Sequence, residues 1–297
     1  MLVFSSTIIP TINRSSLSRA VCSVLDQDFR NADFEVIVVN DSGQPLPDSD
    51  WQHSEQVKVI NTYRRERSVA RNAGAAIAKG KYLHFLDDDD VLLPGALEAF
   101  WALDCRIGDA VWLYGSYQTV DNGGKVVEEL HPGIEGELFA LLVAGEGIPF
   151  QASLLQADRF HVVGAFDPSP AILGVEDRDV GRRMAHAGTV AYTPTVVAQI
   201  RIGEQGSSTN WATLAESDRW GREKALTTKN AFSRLRTSAD SHYWRGRVCR
   251  AYCASTIWNL KRKSLLTAAS RATAGLAIAG WHTLSPKFWD GLRTKIR

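Results

Sequence analysis

SVARNAGAAIAKGKYLHFLDDDDVLLP, residues 68–94, holds a helix, a strand and an acidic run in immediate succession. The small, apolar-spaced residues from Ser68 to Lys79 predict a helix, and Gly80 is placed to close it as its C′ residue. KYLHFL (Lys81–Leu86) reads as a buried strand that ends on Asp87, Asp88, Asp89 and Asp90, and Pro94 is suited to open the next helix. Upstream, Val3–Ile9 reads as a strand. Ser15 or Ser16 can cap a helix in which Leu17, Ala20, Val21, Val24 and Leu25 recur on one face. FEVIVV (Phe34–Val39) is the continuous apolar run of a strand buried on both sides, and VKVI (Val57–Ile60) is a shorter one. DAVWLYGS (Asp109–Ser116) follows downstream. Strands alternating with helices in this way imply an α/β fold, a mainly parallel central sheet with helices on both faces.

Beyond residue 116, QTVDNGGKVVEE predicts a hairpin turning at Asn122–Gly123–Gly124, and a polar helix runs from Glu176 to about Ala187. No internal repeat is visible. With 44% hydrophobic residues in 297, the chain can bury a sizeable core, which excludes global disorder. The four cysteines lack metal-site spacing and suit a reducing, cytosolic setting. MLVFSSTIIPTINR has no signal-peptide pattern, and Ala272–Trp281 is too short to span a bilayer.

The formal charge of +1, from 34 Lys and Arg against 33 Asp and Glu, argues against a dedicated nucleic-acid binder. It is also a cancellation. Residues 231–297 carry 13 Lys and Arg against Asp240 and Asp290, which leaves 21 basic against 31 acidic residues in 1–230. The change of sign marks a candidate junction between domains.

Three carboxylate positions follow strands or loops. Asp41, in VVNDSG after Phe34–Val39, stands where α/β sheets bind ligands; the alternative is a turn satisfying its own backbone. Asp87–Asp90 repel one another, so such a run calls for a cation or a helix N-terminus, unless it is a solvated acidic turn. A hard divalent ion takes such oxygens together with substrate phosphates. Glu176 and Asp177, in GVEDRDVGRRM, could instead be an ordinary charged helix start whose Arg178, Arg182 and Arg183 form surface ion pairs.

Together these motifs resemble the inverting family 2 of nucleotide-sugar glycosyltransferases, which have the GT-A fold. TIIPTINR is similar to that family's first-strand signature, which implies that Pro10, Thr11, Asn13 and Arg14 lie beside the nucleotide. VVNDSG resembles its acidic loop, with Asp41 at the base, and residues 68–94 resemble its most specific stretch. The resemblance implies Arg71 near the nucleotide or phosphates, Asp87 and Asp88 near ribose and donor, and Asp89 as ligand of a divalent metal, Mg²⁺ or Mn²⁺. VVGAFDPSPAILGVEDRDVGRRMAHAG is similar to the acceptor-side segment, with Glu176 beside the acceptor and Asp177 as general base. The likeness runs from about residue 3 to 205. One departure stands out: where many relatives carry Arg-x-His, this chain has Arg201 and then Gly203, so phosphate and water, or Glu204 or Gln205, would complete the metal's ligands.

The implied organisation is a GT-A catalytic domain over 1–208 (nucleotide-sugar half 1–116, acceptor half 117–208) and a basic, Trp-bearing helical C-terminal region over 209–297. The implied reaction moves a sugar from a nucleoside-diphosphate sugar, a UDP-sugar foremost, to a glycan or lipid-linked glycan hydroxyl by single displacement with inversion. Two other readings remain. A nucleotidyltransferase would need a glycine-rich loop after strand one, where this chain has PTINRSS. A catalytically silent nucleotide-sugar-binding or scaffold protein would not need the full carboxylate set. In the tail, Cys249, Cys253, Ile257 and Leu260 fall on one helical arc that could pack on the catalytic domain. Alternatively the tail attaches peripherally to an anionic membrane, on the cytoplasmic inner face, with no role for nucleic acid.

Overall fold

The computed structural model describes residues 3–63, 66–202, 211–231, 233–235 and 241–293. The first elements are β1 (Val3–Thr11), α1 (Leu17–Leu25), β2 (Asp33–Asn40), β3 (Val57–Asn61), α2 (Arg67–Ile77), β4 (Tyr82–Phe85) and β5 (Val91–Leu92). Next come α3 (Ala96–Ile107), β6 (Trp112–Val120), β7 (Val126–Leu130), α4 (Phe139–Ala144), β8 (Ser153–Gln156), α5 (Ala157–Val162), α6 (Glu176–Ala187) and β9 (Val190–Arg201). The chain ends in α7 (Trp211–Thr227), α8 (Ser241–Lys261), α9 (Leu265–Ala279) and α10 (Pro286–Arg293). They group into two compact units: residues 1–133, 148–169 and 190–209, and residues 134–147, 170–189 and 210–297.

The first unit holds one sheet in the order β3-β2-β1-β4-β8-β6-β9-β5, with β7 also paired to β6. β1, β2, β3 and β4 run parallel, as expected; α1 and α2 supply the long return for β1 to β2 and β3 to β4, and a sixteen-residue link, 41–56, does so between β2 and β3. The other half is mixed. β6 and β9 are parallel, whereas β4–β8, β6–β8, β5–β9 and β6–β7 are antiparallel. Part of this was foreseeable from the hairpin: Asp121 Oδ1 accepts from Gly123 N and Lys125 N at 2.9 Å, and so short a turn can only reverse the strand. β6 itself starts later than expected and runs four residues past Ser116 into that turn.

Phe4, Phe29, Tyr82 and Trp101 meet edge-on or tilted between the sheet and its helices, next to Val21, Val24, Leu97 and Phe100. Helix ends depart from the sequence reading in four places. α1 starts after Ser16 without a side-chain cap bond. α2 is capped by Glu66, whose carboxylate accepts from Ser68 N and Val69 N at 2.9 and 2.7 Å, an N-cap that the Ser/Thr/Asp/Asn preference does not suggest. α2 also ends at Ile77, so Gly80 does not close it. Gly80 instead lies against β1: its N–H donates to Ser6 Oγ at 2.8 Å, and a β-carbon there would stand 2.5 Å from Ser6 N. Pro94 precedes rather than opens α3, which starts at Ala96 after Gly95 takes a φ of 80°.

In the second unit α4 is wholly buried. Two arginines hold its C-terminal carbonyls: Arg182 Nε donates to Leu142 O and Arg222 Nε to Val143 O, each at 3.0 Å. Their other ends share Asp218, at 2.6 and 2.8 Å. α8 buries Trp244, Val248, Tyr252 and Trp258. The expected arc is therefore the wrong one: Cys249 is buried, but Cys253, Ile257 and Leu260 face solvent. Spacing alone could not choose between two apolar arcs of an all-round mixed helix. Among the described residues no helix is long and apolar enough to cross a membrane.

Candidate active site

Strand register brings the predicted nucleotide-side residues together. Thr11 of β1 pairs with Asn40 of β2, Asn40 with Asn61 of β3, and Ile8 with Phe85 of β4, so the carboxyl ends of all four strands form one rim. Pro10 and Thr11 end β1 on that rim, and Asp41 follows β2 with its N–H on Thr11 O at 2.8 Å. Asp41 is buried. Its two oxygens accept from Thr62 Oγ1 and Glu66 N, both at 2.6 Å, so it holds Thr62, just after β3, and Glu66, just before α2.

The acidic run is a tight turn, with Asp90 N on Asp87 O at 3.1 Å, and its carboxylates are divided among several partners, with Asp88 and Asp89 sharing one. Asp87 accepts from Arg71 Nη2 at 2.7 Å and from Gln151 Nε2 at 3.0 Å. Asp88 accepts from Thr11 Oγ1 at 2.6 Å and Arg14 Nη1 at 2.8 Å. Asp89, a third exposed, meets the same guanidinium at 3.1 Å, while Arg19 donates to its carbonyl at 3.0 Å. Asp90 is turned in and accepts from Arg201 N at 2.7 Å, which ties the end of β9 to the turn. Asn13, at a φ of 71°, donates its N–H to Thr11 Oγ1 at 2.9 Å and so sets the bend that delivers Arg14.

The protein's own guanidinium groups thus offset the repulsion that the sequence implied. Burial alone would raise the Asp87 carboxyl, but Arg71 beside it holds it below the usual range. Burial raises Asp88 despite Thr11 and Arg14, and raises Asp90, where Asp87 adds to the effect. Burial lowers Arg14 less than Asp88 and Asp89 raise it, so it stays firmly charged. Arg71 lies 5.3 Å from the Phe166 ring, and the Phe166 backbone is clamped by Asn72 through bonds of 2.8 and 3.0 Å.

In the second unit, α6 opens on Glu176, which is buried, and Asp177, which is exposed and accepts from Arg178 N at 2.7 Å. Of the arginines read as surface pairs, Arg183 holds the buried Asp179 at 2.6 Å, together with Lys224 at 3.2 Å. Arg182 is fully buried on Asp218, so it belongs to the core rather than to the surface.

Residues 6–151 match the family model for Glycosyl transferase family 2. This segment belongs to that family. Poly(ribitol-phosphate) beta-N-acetylglucosaminyltransferase TarP of Staphylococcus aureus is 35% identical over 99 residues, 31% of this chain and 30% of that protein. UDP-Glc:alpha-D-GlcNAc-diphosphoundecaprenol beta-1,3-glucosyltransferase WfgD of Escherichia coli is 26% identical over 131 residues, 43% of this chain and 51% of that one. The chain spans about a third of the length of the first curated relatives it matches. The S. aureus TarS 1–349 crystal structure in complex with UDP-GlcNAc superposes with a TM-score of 0.65 at 14% identity, over 99% of this chain and 93% of that one. The architecture is therefore the GT-A-like fold, a mixed α/β sheet with a C-terminal helical region.

The family's divalent ion finds a suitable donor in chemistry. Mg²⁺ is commonly bound by one or two carboxylates with phosphates and water completing the shell, and Asp89 offers a partly exposed carboxylate at the rim. Among the described residues no cluster of three His, Cys, Asp or Glu could hold an ion without such help. Glu204 and Gln205, the alternatives to the absent Arg-x-His, lie outside the described residues. Gln151, Phe166 and Thr62 were not foreseen. No local signal could have found Gln151, which reaches Asp87 from 64 residues away.

Proposed function

We propose that the chain transfers a glycosyl group from a nucleoside-diphosphate sugar, a UDP-sugar foremost, to a hydroxyl of a glycan or lipid-linked glycan, with inversion. Residues 1–208 would act as the catalytic domain, with 1–116 for the donor and 117–208 for the acceptor, and 209–297 as a separate C-terminal region. The observation that carries this reading is the rim where Asp41, Arg71 and the Asp87–Asp90 turn meet Thr11 and Arg14 within a family 2 segment. The names of the relatives support the donor and acceptor classes: WfgD by its UDP-Glc donor and diphosphoundecaprenol acceptor, TarP by its poly(ribitol-phosphate) acceptor.

In this reading Asp41, held by Thr62 and Glu66 at the end of β2, accepts from the base. Asp87 and Asp88, held rigid by Arg71 and by Thr11 with Arg14, accept from ribose and sugar hydroxyls. Pro10 and Asn13 shape the bend against the nucleotide. Arg71 and Arg14 supply positive charge for the diphosphate as it leaves. Asp89 would hold a Mg²⁺ or Mn²⁺ ion, which when bound stabilises that same leaving-group charge. Asp177 takes the proton of the attacking hydroxyl, and Glu176 stands on the acceptor side. The enzyme would work in the cytoplasm, peripherally at the inner membrane face.

A screen of nucleotide sugars tests this, read by thermal stabilisation and by metal-dependent donor hydrolysis. One or more UDP-sugars should stabilise the chain in Mn²⁺ and less so in EDTA. Failure of every nucleoside-diphosphate sugar, with binding of a nucleoside triphosphate, would favour the nucleotidyltransferase reading. Donor binding without any turnover in the presence of glycan acceptors would favour a silent scaffold.

A further inference from the structure

Helix α9 has two unlike faces. Ala268, Arg271 and Ile278 are buried, and between them the Gly275 carbonyl accepts the Cys249 thiol at 3.2 Å, so the stripe 268, 271, 275, 278 faces α8. The opposite stripe, Leu266, Ala269, Ser270, Thr273, Leu276 and Ala277, is exposed along its whole length, with Leu266 at 90% and Leu276 at 75%. That outer face has no charge. The helix's one ionisable residue, Arg271, is turned inward onto Glu223 at 2.6 Å. An exposed helix face in water ordinarily carries charged residues, so an uncharged one implies a non-aqueous neighbour.

The surroundings identify that neighbour. Exposed Leu265 precedes the stripe, exposed Trp281 and Leu284 (85%) follow it, and Ile257 and Leu260 on α8 face outward at the turn into α9. Exposed Lys261 and Lys263 flank one end, and exposed Lys287 and Arg293 come after the other. From Ser241 to Arg293 the sequence has nine Lys and Arg against the single acid Asp290. Leucines with small residues between them, a tryptophan at one end and lysines at the margins match an interfacial helix on an anionic bilayer. The same basic margins disfavour a second copy as occupant, because a two-fold contact would set like charges against each other. The helix is too short to cross, so it would lie on the surface.

We propose that α9 lies in the interface of an anionic membrane, with Leu266 and Leu276 inserted, Trp281 at headgroup depth and Lys261 and Lys263 against lipid phosphates. This rests on the reading of the acceptor as lipid-linked for its purpose, whereas the surface itself is read from α9 and its margins. Sedimentation of the full chain with phosphatidylcholine vesicles, with and without phosphatidylglycerol, tests it. The wild type should pellet with the anionic vesicles, less so at high salt. Leu266→Glu with Leu276→Glu should weaken this at least about tenfold while helix content and UDP binding stay unchanged. Because both leucines face solvent, the pair should fold; Lys261→Glu with Lys263→Glu is the second variant and should also reduce binding to anionic vesicles. Wild-type protein left in the supernatant at low salt, or a double-leucine variant that binds as tightly, would overturn the proposal. So would a dimer that the leucine changes dissolve without any vesicle binding. Loss of UDP binding in the wild type would instead count against the enzymatic reading and leave the vesicle result standing.

Discussion

Asp177 and Asp89 carry opposite expectations. Asp177 is exposed at the start of α6 and contacts only its neighbour's N–H among the bonds described, so its removal should leave the fold intact. As a general base it contributes about 10²–10⁴-fold, so Asp177→Asn should lose transfer by that factor while UDP affinity, measured by titration, is unchanged. Retained transfer would remove it from the mechanism. Asp89→Ala should weaken UDP binding in Mn²⁺ and leave it unaltered in EDTA, a difference that calorimetry reads directly. His84 gives a stability test of another kind. It is fully buried on β4 between Thr7 Oγ1 at 3.1 Å and Gln151 O at 2.9 Å, and burial pushes it down to about 4. The unfolded chain therefore binds the proton more readily. The contribution of His84 is complete above its ordinary value near 6.5 and is lost as pH falls from there toward 4, up to about 3 kcal/mol. Urea melts at pH 7 and pH 5 should show a larger loss for the wild type than for His84→Gln. Asp41 and Asp87–Asp90 were legible because each follows an apolar strand run directly, and Arg71, inside α2, was legible only through the resemblance of its stretch to the family. Their partners were not, since Gln151 and Phe166 arrive by folding from distant positions.

At the scale of elements, periodicity located strands and helices well and their ends poorly. The alternating strands and helices of residues 3–92 were readable because apolar runs and helical spacing are local properties. Gly80 shows the limit. A glycine near a helix end reads as a terminator, yet it is needed here for the approach of two backbones, which no local pattern reveals. Gly80→Ala forces a β-carbon against Ser6 N, and should cost about 1–3 kcal/mol and lower the melting temperature without altering UDP stoichiometry. Unchanged stability would mean that β1 and β4 can move apart freely. The reversed arc of α8 has the same cause: Trp258 and Tyr252 outcompete Ile257 and Leu260 for burial because they bring larger surfaces and, for Trp258, a bond to Glu216 at 2.9 Å.

At the scale of the whole chain, the formal +1 conceals an acidic stretch and a basic one, and much of the second unit's positive charge is spent inside. Arg182 and Arg222 share the buried Asp218, whose carboxyl is held down by both guanidinium groups against the effect of burial, and Arg271 is spent on Glu223. Asp218→Ala would leave two buried cations uncompensated, and should cost about 3–5 kcal/mol, seen as a lowered thermal transition in circular dichroism. Arg182→Met with Asp218→Leu and Arg222→Met, replacing the whole set, should recover most of it; failure to recover would mean that the carbonyls of Leu142 and Val143 depend on the arginines.

The sequence by itself determined the α/β alternation, the carboxylates that follow its strands and the change of charge sign near residue 230, which are properties of composition and near-neighbour spacing, while its motifs carried the resemblance to the family that residues 6–151 match. Only the tertiary structure decided that the sheet is mixed, that Arg14 and Arg71 neutralise the acidic turn, that Arg182 is interior and that α9 turns an uncharged face outward. Each of those depends on which of several equally apolar or equally charged surfaces finds a partner, and that choice is made by packing between segments far apart in the chain.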